Sequence, residues 1–177
     1  MNVDKKTANL IAQQYLGTPL PPDPYAWGIS GYVYLSPDLQ SVVKVHHRKE
    51  GYDTELEVYQ RLRRLGLTRL HGLEIPKLRD YRDDLKVIRL DFVNKPFLVD
   101  FAGVLFQPPE TLFSAETIEQ WHAEIQERFG RNAHIAYAVY HSLAQHGMYY
   151  VDMRPSNVNV QGLPGVEPFE AMNSDDL

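Results

Sequence analysis

Tyr149-Tyr150-Val151-Asp152-Met153-Arg154-Pro155-Ser156-Asn157-Val158 passes from an aromatic and aliphatic run into a polar segment. Asp, Pro, Ser and Asn each favour turns, so the polar part predicts a loop. Upstream, Ile135, Val139 and Leu143 recur at helical spacing and the pattern stops at Gly147. Before that, Ile118, Trp121, Ile125 and Phe129 form another helical stripe, with Ser114 placed as its cap and Gly130 as its stop. Downstream, Val158-Asn159-Val160, a turn over 161–165 and residues 166–169 predict a hairpin that leads to Glu170.

The amino-terminal half has a different texture. Residues 3–16 predict a short amphipathic helix with Asp4 as cap and Gly17 as stop, and the prolines of 19–24 cannot continue it. Two runs of strand character follow, 25–35 and 41–46, separated by Ser-Pro-Asp-Leu-Gln, and together they predict a β-hairpin. Tyr52, Leu56, Tyr59, Leu62 and Leu65 then recur at helical spacing before Gly66. Residues 75–81, 86–93 and 97–106 predict strands or extended segments. Strands first and helices second predict an α+β domain with two small lobes, 1–93 and 94–177. The crevice between such lobes is a usual place for a ligand.

The 149–158 stretch resembles the catalytic loop of the protein-kinase-like superfamily, in which an Asp is followed five residues later by an Asn. Asp152 falls on the catalytic Asp, Arg154 on a position usually Lys, and Asn157 on the metal-binding Asn. Tyr150 and Val151 replace the family's His-Arg, which brings the chain nearer to divergent bacterial kinase-like proteins. Other parts follow in family order. Gly28-Ile29-Ser30-Gly31-Tyr32-Val33 resembles the later part of the glycine-rich loop, with Ala26 at the first glycine and Val33 at the valine that covers adenine. Lys44 stands alone within Val42-Val43-Lys44-Val45, as the family's phosphate-binding lysine does. The following helix offers Glu55 as its counter-charge, with Glu57 the neighbouring alternative on a different face. Glu55 is favoured because its spacing to Tyr59 and Leu62 matches the family pattern. Residues 87–93 resemble the run into the hinge, which puts Leu90 near the gatekeeper and the backbone of Asp91 to Val93 at the adenine. The rival placement of the hinge is 97–103.

Within that rival segment, Asp100-Phe101-Ala102-Gly103 looks like the family's metal-binding Asp-Phe-Gly. It precedes the catalytic loop instead of following it, so the order of the motifs favours chance and leaves Asp100 an outside candidate. Glu170 is the expected second metal ligand. The resemblance implies a phosphotransferase that uses ATP and Mg2+: Lys44 held by Glu55 grips phosphates, Asp152 takes the acceptor proton, and Asn157 with Glu170 holds metal. Arg154 offsets developing charge. Gly28, Gly31, Val33, Lys44, Leu90, Asp91 and Val93 border the nucleotide. The peptide-substrate platform has no counterpart, so the acceptor is an unidentified protein or small-molecule hydroxyl. Two alternatives keep the same fold: a pseudokinase serving as a nucleotide-binding or partner-binding module, and a subunit completed by a partner.

Composition bounds the rest. The 177 residues are 44% hydrophobic and 23% charged, in the range of an ordinary globular domain. A formal net charge of −5 argues against a nucleic-acid partner, because neutralising phosphates needs clustered Lys and Arg. Arg61 to Arg64 is expected to be a solvated helix face. The absence of cysteine excludes disulfides and thiolate metal sites, and with no long apolar run it points to the cytoplasm and away from a membrane. The adjacent His46 and His47 are expected to be two exposed strand histidines, and His122, His134, His141 and His146 show no ligand pattern. Trp121 is expected to be a core or rim aromatic. No serine occupies a nucleophile-elbow pattern.

Overall fold

The computed structural model describes residues 3–166 and has an α+β architecture. Helix α1 (Lys5–Leu16) begins where the Asp4 carboxylate accepts the Thr7 N–H at 2.8 Å and ends at Gly17 in the left-handed region. The chain then forms β1 (Ala26–Trp27), β2 (Gly31–Leu35), β3 (Ser41–His46) and α2 (Lys49–Leu65). Two short strands, β4 (Arg69–Leu70) and β5 (Leu73–Glu74), lead to β6 (Leu78–Arg82) and β7 (Val87–Asp91). Next come β8 (Phe97–Leu98), a 3-10 turn (Phe101–Gly103) and β9 (Val104–Leu105). Helices α3 (Ala115–Phe129) and α4 (Ala133–Ala144) precede β10 (Tyr149–Tyr150) and β11 (Val158–Asn159). No helix among the described residues is long and apolar enough to cross a membrane.

The main sheet has the order β1-β2-β3-β7-β6 and is antiparallel throughout. Strand β3 lies at its centre and is covered on both faces. Val43 and Val45 point to one side and join Tyr34, Val87, Ala8 and Ala12 under α1. Successive side chains alternate, so Val42, Lys44 and His46 point to the other side, toward α2. There Ile88 and Leu90 of β7 meet Leu56, Tyr59 and Leu62 in a core that runs on without a break to α3, α4 and Val160. The boundary expected near residue 93 is therefore crossed by one continuous hydrophobic core.

The carboxy-terminal strands find partners far back in the chain. Val158–Asn159 pairs antiparallel with β8, so that Val158 faces Leu98, and Tyr149–Tyr150 pairs antiparallel with β9. Residues 167–169, the expected second arm, lie outside the described residues. Each short strand thereby finds an edge made earlier in the chain.

Glycine at 31 is required by packing. It sits opposite His46 in the β2–β3 ladder, and a Cβ there would lie 2.3 Å from the Val45 carbonyl oxygen, a backbone atom that cannot step aside alone. Gly31→Ala is expected to destabilise the fold by about 1–3 kcal/mol, the usual cost of overpacking, seen as a lowered urea midpoint. Gly28→Ala, whose Cβ would meet nothing within 4 Å, should leave the midpoint nearly unchanged.

Candidate functional site

The side chains that gather at the site come from three elements and one loop. Lys44 on β3 and Glu55 on α2 form an ion pair at 2.6 Å with side chains only 6% and 1% exposed. Asp100, at the head of the 3-10 turn, sets Oδ1 2.8 Å from the same ammonium. Its other oxygen accepts the Ser30 hydroxyl at 3.1 Å, which ties the Gly28–Gly31 turn to the cluster. Asp100 has φ 59°, in the left-handed region. That region is uncommon outside glycine, though Asp tolerates it better than most residues. Val33 lies directly opposite Lys44 in the ladder and so shares its face.

Burial pushes the Lys44 pKa down, but the Glu55 and Asp100 carboxylates outweigh it and hold the ammonium charged to above its ordinary value. Burial likewise raises Glu55, and the nearby Lys44 charge with the His46 hydrogen bond overcomes this and carries its pKa below the ordinary carboxylate value. Of the two glutamates, Glu57 points elsewhere and pairs with Arg61 at 2.7 Å.

The Asp152 loop lies opposite the Asp100 loop. Its flanking strands, β10 and β11, pair with β9 and β8, which flank Asp100. The Val99 N–H donates to the Asn157 carbonyl at 2.9 Å, and the buried Tyr150 hydroxyl donates to the Val99 carbonyl at 2.7 Å. The loops are close enough that a Cβ on Gly103 would stand 3.3 Å from the Asp152 Cβ. Within the loop, Asp152 Oδ1 accepts Arg154 Nε at 2.6 Å, and Asn157 Nδ2 donates to Asp152 Oδ2 at 3.3 Å and to its carbonyl at 3.1 Å. Helix α3 holds the loop from behind. The Trp121 indole donates to the Val151 carbonyl at 2.8 Å and Arg128 Nη1 to the Met153 carbonyl at 3.4 Å, one on each side of Asp152.

Several expectations from sequence meet a different arrangement. Asp100, set aside because of its order in the chain, contacts Lys44 directly. Glu170 lies outside the described residues. Gly31 has the packing reason given above, while the Gly28 N–H closes a tight turn onto the Gly31 carbonyl at 3.0 Å. At the expected hinge, Leu90 is core, and the N–H groups of Asp91 and Phe92 are already donated to the Lys77 and Gln40 carbonyls. Asp91 and Val93 instead border a polar cavity of about 560 Å³ with Thr68, Arg69 and Lys77. His46 is fully buried, contrary to the expectation of an exposed residue, and its Nε2 lies 2.7 Å from Glu55 Oε2. Trp121 is half-buried and serves as a hydrogen-bond donor.

Among the described residues no three His, Cys, Asp or Glu side chains gather into a metal-holding group. Magnesium, however, keeps several waters and phosphate oxygens and asks only one or two carboxylates of a protein. Asp100 and Asn157, on facing loops, offer the hard oxygen donors that this ion takes. Comparison with models of protein families, with curated proteins and with solved structures finds no match.

The direction of the Glu55 shift fixes a pH window. A carboxyl with a depressed folded-state pKa stabilises the fold above its unfolded value, here 4.5, and that contribution is lost as pH falls toward about 2. Thermal melts of the wild type should therefore lose stability through this window more steeply than those of Glu55→Gln. At neutral pH the same substitution, which removes one partner of a buried pair, should cost about 3–5 kcal/mol. Parallel pH profiles for the two proteins would contradict the assignment.

Proposed function

We propose that the chain is a phosphotransferase that moves the γ-phosphoryl group of ATP to a hydroxyl, with Mg2+ as the metal. The observation that carries this reading is the buried Lys44 ammonium, held by Glu55 on one side and by Asp100 on the other. Asp100 in turn belongs to the loop that faces Asp152 and Asn157. A lysine brought into the interior between two carboxylates has its ammonium held in one place, which is what a phosphate-binding lysine requires. The facing loop, with the Asp152 carboxylate and the Asn157 amide, offers the base and the oxygen ligand that phosphoryl transfer requires.

In this reading Lys44 grips the phosphates, and the Gly28–Gly31 turn covers them. Asp100 and Asn157 hold the metal, Asp100 taking the role that the motif order alone gave to Glu170. Held there, magnesium would supply positive charge to offset that of the phosphates. Asp152 orients the acceptor hydroxyl and receives its proton while the acceptor oxygen bonds to phosphorus and the bond to the ADP oxygen breaks. Arg154, already on Asp152 Oδ1, keeps that carboxylate in place and lies ready to offset charge as it develops. Trp121 and Arg128 hold the carbonyls that flank Asp152, so its position is set from α3. The acceptor is a hydroxyl of a protein or a small molecule.

Mg·ATP should raise the melting temperature, because a ligand that binds only the folded state stabilises it. Asp152→Asn should keep nucleotide binding while turnover of radiolabelled ATP, with cell extract as the acceptor pool, falls about 10²–10⁴-fold, the usual worth of a positioned base. Wild type that binds nucleotide tightly and labels nothing would favour a binding module over an enzyme. Asp100→Asn should weaken the dependence of nucleotide affinity on magnesium, measured by titrating the metal at fixed ATP. An unchanged dependence would return the metal role to another residue.

A further inference from the structure

His46 lies two residues after Lys44 on β3, and the strand's alternation turns both side chains toward the same glutamate. The imidazole is fully buried, and Nε2 stands 2.7 Å from Glu55 Oε2, the same oxygen that receives Lys44 Nζ at 2.6 Å. The Glu55 carboxylate can only accept, so the ring nitrogen facing it carries the proton. On the far side of the ring, Nδ1 lies 3.2 Å from the Lys86 carbonyl oxygen, and that oxygen accepts the His46 backbone N–H at 3.1 Å. Tyr52 packs its ring edge-on to the imidazole at 5.5 Å. Glu55 Oε1, by contrast, is buried and makes no hydrogen bond. With one oxygen unsupported, the carboxylate's orientation rests on the two donors that converge on the other.

We infer that His46 is a positioning residue: it orients the Glu55 carboxylate and, through it, the Lys44 ammonium. Lysine is a point charge on a flexible stem with four rotatable bonds, so where its ammonium rests depends on where its partners are. Asp100 is one such partner, on a loop. Glu55 is the other, on a helix, and His46 ties that helix residue back to the strand that carries the lysine. The strand thus fixes both ends of the pair. For its effect on nucleotide affinity this inference rests on the phosphotransferase reading.

The test uses the full chain. His46→Leu removes the donor, and His46→Gln keeps an amide N–H of similar reach. His46→Leu should weaken binding of a fluorescent Mg·ATP analogue roughly tenfold or more, the scale of a hydrogen bond to a charged group, and His46→Gln should restore most of it. A residue with only a packing role would lower the melting temperature without separating Leu from Gln in affinity. If His46→Leu does not fold, His46→Asn takes its place, since its amide is too short to reach Glu55. Independently of nucleotide, urea unfolding of the donor-less variant, of Glu55→Gln and of the double variant should show coupling between the two positions. Additive effects, or affinity unchanged without the donor, would overturn the inference. Wild type that fails to bind the analogue would remove the phosphotransferase reading and leave the coupling measurement to decide the role of His46.

Discussion

An ammonium group taken out of water costs several kcal/mol unless the interior supplies charge and hydrogen bonds in return. Lys44 sits in the centre of the five-stranded sheet, so the elements around it have to answer that cost. Helix α2 does so with Glu55, the loop after β8 with Asp100, and β3 itself with His46, which steadies Glu55. Two separate parts of the chain are drawn to one strand by one charge. The hydrophobic core that α2 shares with β7, α3 and α4 keeps the pair dry, and dryness is what gives the charge its strength.

The second organising feature is the joining of two strand–loop–strand segments. β8 pairs with β11 and β9 with β10, so two loops are set face to face with Asp100 on one and Asp152 on the other. Antiparallel pairing at both ends does not depend on which segment is made first. A motif order that looks wrong along the chain can therefore still deliver both carboxylates to one place. Helix α3 adds rigidity, because Trp121 and Arg128 bond to carbonyls on either side of Asp152 and leave its carboxylate to Arg154 and Asn157.

How much of this was legible depends on whether the information was local. The helices were, because Asp4, Ser114, Gly17, Gly66 and Gly130 mark their ends and the apolar stripes mark their faces. The need of Lys44 for a counter-charge was also legible in its apolar strand, while the choice of Glu55 over Glu57 came from the family resemblance. Asp100 was discounted by order, and order is not what pairing enforces. His46 was misread as exposed although its i+2 relation to Lys44 was visible. Exposure had been assumed for a strand that is in fact covered by α1 on one face and α2 on the other. The backbone at the expected hinge was not legible either: the Asp91 and Phe92 N–H groups donate to the Lys77 and Gln40 carbonyls, which no local pattern brings near. The partner of Val158 is Leu98, sixty residues earlier, and no local pattern points to a pairing over that distance.

The pairing of β10 and β11 with edges laid down far earlier has a consequence for synthesis. During translation, the sheet, the lysine and both of its carboxylate partners leave the ribosome before the Asp152 loop does. Until that loop arrives, β8 and β9 present unpaired N–H and C=O groups, and open edges of this kind invite association with other chains. These strands are two residues long, which limits how much foreign chain they can hold. The late segment closes them by long-range contacts, the slow kind in folding. The charge cluster around Lys44 is thus complete in the emerging chain before the Asp152 loop joins it.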